Sequence, residues 1–138
     1  MKTRLLKKIQ QAILEHPAHF DMDEWGARYK LENLVHDEPP ESNCNTTACI
    51  AGWACVLTNS HPTFEWKELP GFGLCVDDHE HHTGSLLGLN QKQVDRLFYT
   101  CFWPKRFEAR YERAKKNTTK ARIAAERIDH FIATKGAE

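Results

Sequence analysis

The chain has 138 residues, of which 41% are hydrophobic and 28% are charged, and its formal net charge is zero. This length and composition are typical of one globular domain and exclude a disordered, collagen-like or coiled-coil chain. No apolar run reaches the ~20 residues of a membrane helix, and no signal-peptide core follows the basic start, so we expect a cytoplasmic protein without a membrane partner.

The first predicted helix runs from about Thr3 to His16, and Pro17 ends it because a residue before proline is pushed out of the helical region. A second helix is predicted to begin at Thr46 or Thr47, either of which can cap it, and to end near Leu57. Its residues are apolar on every side, which is typical of a helix buried in the middle of a domain.

The segment after this helix is rich in turn residues and predicts a small β-hairpin from Phe64–Trp66 and Leu74–Val76. A third helical segment is predicted near Glu80 to Leu87. Asn90 and Gln93 have the spacing of a capping box and predict the start of a fourth helix. The inward side chains of that helix are predicted to be Val94, Leu97 and Phe98.

Trp103-Pro104 predicts the start of the next helix, because proline is favoured in a first turn. The last helix is predicted from about Thr119 to Thr134, with Gly136 as its stop. Its inward residues are predicted to be Ile123, Ala124, Ile128, Phe131 and Ile132. The sequence thus predicts a mainly α fold, a compact multi-helix single domain over residues 1–138 with a buried central helix.

Five cysteines are present, and Cys49 has the setting that invites a chemical hypothesis. In the first turn of a helix, the free amides and the helix dipole lower a thiol pKa, so Cys49 is a candidate catalytic nucleophile with a histidine as its base. Cys44 lies in the preceding loop, where it could resolve an oxidised Cys49 or bridge to it. The alternative is packing, because burial among apolar neighbours raises a thiol pKa and makes the group inert.

Histidines and acids cluster from Asp77 to His82 and favour a metal hypothesis, because two histidines and a carboxylate can hold zinc or iron. On a helix, His79 and His82 share a face. Cys44 and Cys75 are candidates for completing the ligand set of a structural zinc site, with Cys49 as a further member. The alternative is a solvated polar cap at a helix start.

Cys44-x-Thr46-x-x-Cys49-Ile50-Ala51-Gly52-Trp53-Ala54 resembles a Cys-Gly-Thr-x-x-Cys-x-Ala-Gly-x-Ala signature of small bacterial and phage proteins without an assigned activity. Two further stretches, His16 to Trp25 and Leu86 to Pro104, extend the resemblance over most of the chain. Asn45 replaces the glycine of the signature, and asparagine tolerates the left-handed backbone that a turn needs there. The resemblance implies a helical fold and a grouping, and it supplies no site residues.

Lys and Arg predominate from Pro104 to Glu138, whereas acids predominate from Glu15 to Glu41. The basic third is either a solvated face or a contact for an anionic partner. Zero net charge argues against nucleic acid as that partner. The leading hypothesis is therefore a non-catalytic accessory protein of a bacterium or phage that binds another protein. The rivals are a thiol-dependent enzyme using Cys49 and a small zinc-binding protein.

Overall fold

The computed structural model describes residues 1–23, 48–58 and 77–138, with side chains from residue 81 onward in the last range. These residues are mainly helical and include no strand. The two segments of the predicted hairpin lie outside the described ranges, and the hairpin has no support. The helices are α1 (Thr3–Glu15), α2 (Ile50–Thr58), α3 (Asp77–Leu87), α4 (Gln91–Phe98), α5 (Lys105–Arg113) and α6 (Asn117–Ala133). Short 3₁₀ turns span Pro17–His19 and Thr100–Phe102.

Helix α1 ends where Pro17 was predicted to end it. Its buried residues, Leu6, Ile9, Ala12 and Ile13, recur at the helical period. The helix packs along α6 and against α2. Polar contacts at the edge of the α1–α6 contact include an ion pair between Lys7 and Asp129.

The predicted start of α2 at Thr46 or Thr47 is wrong, because the helix begins at Ile50. Ala48 instead forms an isolated parallel bridge with Phe20, and its amide donates to the carbonyl of His19 at 3.0 Å. This contact between distant parts of the chain holds the backbone extended just before the helix. The first six residues of α2, from Ile50 to Cys55, are buried. Leu57, near its end, is exposed.

Helix α4 opens on the predicted capping box, with Asn90 and Gln93 each bonded to the other's backbone amide. Val94, Leu97 and Phe98 are buried, as predicted. The approach of α3 to α4 depends on Gly84, because a Cβ placed there would lie 2.6 Å from Cγ2 of Val94. After α4 the 3₁₀ turn leads into α5, which packs on α6.

A polar cluster ties the segment after α1 to the C-terminal helices. The buried hydroxyl of Tyr111 accepts a hydrogen bond from the amide of Met22 at 2.8 Å and donates to Asp21 at 3.2 Å. Lys120 pairs with the same carboxylate at 2.9 Å. Hydrogen bonds from Lys120, Tyr111 and the amide of Asp23 outweigh burial and lower the pKa of Asp21.

Helix α6 contacts α1, α4 and α5. It ends in a Schellman motif, in which the amide of Gly136 donates to Phe131 and the amide of Lys135 donates to Ile132. Gly136 has a φ of +73°, and a Cβ there would lie within 3 Å of Gln93 and Phe131. Gly136 therefore belongs to the stop that the sequence predicts. Among the helices of the described ranges, none is long and apolar enough to span a membrane.

Candidate functional site

Cys49 occupies the N-cap position of α2 and is 1% exposed. Its carbonyl accepts the first hydrogen bond of the helix, from Trp53 at 3.0 Å, and the backbone amides of Gly52 and Ala51 act on its thiol to lower the pKa. The sulfur thus faces the open amides, as the catalytic hypothesis needs. Burial nevertheless outweighs the effect of these amides and raises the pKa of the Cys49 thiol to about 11.

Cys49 is thus a buried N-cap residue whose thiol stays protonated near neutral pH. A nucleophilic cysteine needs a thiolate that a substrate can reach, and a buried thiol with a raised pKa supplies neither property. Cys55, on the same helix, is also buried, and its sulfur lies 3.5 Å from the hydroxyl oxygen of Thr83. Both thiols therefore fit the packing alternative better than the catalytic one.

The predicted metal ligands are not brought together in the described ranges. Cys44 and Cys75 lie outside them, and the side chain of His79 lies outside the described side chains. His82 is half-buried on α3. Within the ranges that the structure describes, no three His, Cys, Asp or Glu side chains form a group that could hold a metal ion. The zinc site stays a prediction.

A different group stands out in α6, where Arg127 is fully buried. Its Nη2 atom donates to the main-chain oxygens of Arg96, at 2.8 Å, and of Glu138, at 2.9 Å. Its Nε and Nη1 atoms are buried and have no hydrogen-bond partner. The guanidinium carbon lies 5.3 Å from the ring centroid of Phe131. Buried polar groups are normally paired, so this arginine is incompletely satisfied.

Arg127 is bonded to two residues that line a shallow surface depression of about 330 Å³, which we call the Arg127 depression. It is lined by Arg96, Phe102, Trp103, Pro104, Ala137 and Glu138. Two of these residues, Arg96 and Glu138, supply the main-chain oxygens that Arg127 binds. Trp103 is anchored in this wall, because its indole nitrogen donates to the carbonyl of Leu97 at 3.1 Å.

One side of the depression is formed by the chain segment that follows α6, residues 134–138, which we call the tail segment. Side chains of α4 hold it, because Gln93 donates to the carbonyl of Lys135 at 2.8 Å and Arg96 donates to that of Gly136 at 3.1 Å. Beyond these bonds, Oε2 of Glu138 lies 3.4 Å from Nε2 of His130. The side chain of Glu138 is 64% exposed, so solvent screens this pair.

Arg96, Arg106 and Glu138 all influence the charge on Arg127. Burial lowers the pKa of Arg127 to about 10; Glu138 opposes this, and Arg106 and Arg96 lower the pKa further. Burial also lowers the pKa of His130, and Arg106 and Arg127 add to that effect. The Nδ1 atom of His130 is buried without a hydrogen-bond partner. Such a site can attract and hold an anionic oxygen.

The sequence interpretation missed Arg127, although a signal for it exists. Arg127 follows Ile123 by four residues and precedes Phe131 by four, so the helical period places it on the face predicted to point inward. The charge pattern predicts either a solvated face or a contact for an anionic partner over this third of the chain, and neither prediction places an arginine in the core.

The residues that line the Arg127 depression include an arginine, a glutamate and two aromatic residues, which can make hydrogen bonds, ion pairs and aromatic contacts. Comparison of the chain with models of known protein families, with curated proteins and with solved structures finds no match. A function therefore has to follow from the chemistry of the site itself.

Proposed function

We propose that the protein is a non-catalytic binding protein that contacts another protein through the Arg127 depression. The observation that carries this proposal is the exposure of Phe102, at 58%, on the rim of the depression beside Arg96. Aromatic and arginine side chains dominate the binding energy of protein interfaces, especially where they surround a pocket. The ring of Phe102 is held in place by an edge contact with Tyr99 at 6.3 Å between centroids.

Three further features support a protein partner. Among the described large apolar residues that are exposed, Phe102 is more exposed than Leu14 or Leu57, at 49% and 40%. The formal net charge of zero lacks the overall field that attracts nucleic acid. The resemblance to small bacterial and phage proteins supports an accessory role.

The thiol-enzyme hypothesis requires an accessible thiolate at Cys49, and the burial of that sulfur argues against it. The zinc hypothesis rests on Cys44, Cys75, His79 and His82, whose mutual distances are not defined by the described ranges. The described residues therefore support the binding hypothesis better than either rival.

The test compares the immobilised wild-type protein with two variants in capturing partners from a bacterial lysate. Truncation of a hot-spot aromatic costs about 2 kcal/mol or more, so Phe102→Ala should weaken capture of a specific partner about thirtyfold. Leu14 is also an exposed apolar residue but lies on α1, so Leu14→Ala should leave capture unchanged. Both variants should keep the wild-type melting temperature, because the truncated side chains are exposed.

Equal capture by wild type and Phe102→Ala would refute the proposal. Equal loss in both variants would refute it as well, because the binding surface would then include α1 or would reflect general stickiness. Isothermal titration with the purified partner then gives the ratio of affinities directly.

A further inference from the structure

We propose that the Arg127 depression binds an acidic segment of the partner protein, whose carboxylate takes the place now held by Glu138. This inference rests on the proposed function, since it names the chemistry that the same surface recognises. It starts from the unused hydrogen-bonding capacity of Arg127. A guanidinium has five N–H donors, and the two bonds to main-chain oxygens use only those of Nη2.

The remaining donors of Arg127, on Nε and Nη1, are buried without acceptors. A buried donor that has lost water and gained no partner is destabilising, more so when it is charged. A carboxylate is acceptor-only and can receive several such bonds, and arginine binds it with a matching planar geometry. An incoming carboxylate would therefore gain the hydrogen bonds that the free protein leaves unmade.

Glu138 shows how a carboxylate approaches this site. Its main-chain oxygen is bonded to Arg127, and its side-chain carboxylate faces His130 at 3.4 Å. It is nevertheless a weak occupant, because its side chain is mostly exposed and makes no hydrogen bond to the free donors of Arg127. A better placed external acid can displace this exposed side chain while the main-chain bond between Glu138 and Arg127 stays in place.

Charge complementarity selects an acidic occupant over a neutral one. The charge on Arg127 is disfavoured by two neighbouring positive charges, those of Arg106 and Arg96. Glu138 is the acid that opposes them there. The apolar wall of Phe102, Trp103 and Pro104 lies beside this charge. The occupant that fits both parts is a glutamate or aspartate next to an aromatic residue.

The test uses purified full-length protein and a short capped peptide of three glutamates followed by phenylalanine. Binding is followed by ¹H–¹⁵N NMR, in which the Nε–H signal of buried Arg127 should shift as it gains an acceptor. A peptide with glutamines in place of the glutamates should bind at least about tenfold more weakly, since hydrogen bonds to charged groups are worth at least that factor.

Variants separate recognition from folding. Arg127→Lys is the direct change but alters a buried group, so Arg96→Gln, at a half-buried position, is tested beside it and should weaken peptide binding about tenfold. Glu138→Gln should strengthen binding roughly threefold, because it removes the competing carboxylate. The matched control is Arg122→Gln, which removes an exposed arginine from α6 and should leave affinity unchanged.

Three results would overturn the inference: an unshifted Arg127 signal at saturating peptide, equal binding of the glutamine peptide, or an equal response to inorganic phosphate. The last would mark a general oxyanion site instead of an acidic-segment site. Failure here is distinguishable from failure of the proposed function. If Phe102→Ala loses partner capture but the peptide gives no response, the proposed protein interface stands and the acidic segment is refuted as its ligand.

Discussion

The protonation and enclosure of Cys49 lead to a quantitative prediction for its reactivity. The pKa of this thiol is raised from 9.0 to about 11. At about pH 8, a rise of two units lowers the thiolate population about a hundredfold, and only the thiolate reacts with iodoacetamide. Burial blocks the reagent in addition. Cys49 in the native protein should therefore alkylate at least about a hundredfold more slowly than an exposed thiol.

Cys101 provides the reference within the same molecule, because it is a free cysteine that is exposed. Native protein is treated with iodoacetamide for increasing times, and mass spectrometry of its peptides gives the rate at each site. In denaturant, the rates at Cys49 and Cys101 should become similar, because the enclosure of Cys49 is lost. Rapid alkylation of native Cys49 at the rate of Cys101 would refute the packing interpretation and favour the thiol-dependent enzyme.

The same thiol makes stability depend on pH. Because the folded pKa lies above the unfolded one, the contribution of the protonated Cys49 is complete below pH 9.0 and is lost as pH rises toward 11. At the folded pKa the loss is about 2 kcal/mol. Denaturant unfolding of wild type and Cys49→Ala at both pH values isolates this loss, since alanine carries no titrating group. Identical pH dependence in the two proteins would contradict the raised pKa.

Four further substitutions test the packing. Trp53→Ala should destabilise the protein by about 3–5 kcal/mol in denaturant unfolding, as expected for a large buried aromatic side chain. Tyr111→Phe should cost about 1–3 kcal/mol, because a buried amide then loses its acceptor. Gly84→Ala should lower the melting temperature through overpacking against Val94, at a cost of about 1–3 kcal/mol. Arg127→Met should leave the melting temperature unchanged or raise it, since replacing a buried charge by a packed apolar side chain is often neutral or stabilising. An unchanged melt for any of the first three, or a clear loss for the fourth, would contradict the contacts on which it rests.

The features that the sequence predicts well are those decided by nearby residues. The end of α1 follows from a steric effect of Pro17 on the residue before it. The start of α4 follows from two side chains three residues apart, Asn90 and Gln93, each of which bonds to the other's backbone. After α6 the backbone is left-handed at Lys135 and again at Gly136, the glycine that the sequence predicts as the stop. In each case the interaction is complete within one or two turns of chain.

The features that the sequence did not predict depend on residues far apart in the chain. The start of α2 is displaced because Ala48 donates to His19, across 28 intervening residues of sequence. The Arg127 depression exists because α4, the turn after it and the tail segment meet at the same place. Local periodicity contains no information about contacts between distant segments, since these contacts depend on how the helices pack.

The burial of Arg127 in α6 bears on both the stability and the proposed function of the protein. An apolar side chain of similar size would fill the same space on α6 without leaving buried donors unpaired. Folding alone therefore gives little reason for an arginine there, and the observed bonds to main-chain oxygens use only part of its capacity. The proposed binding of an acidic segment would explain why a charged group is enclosed and partly unpaired at this position.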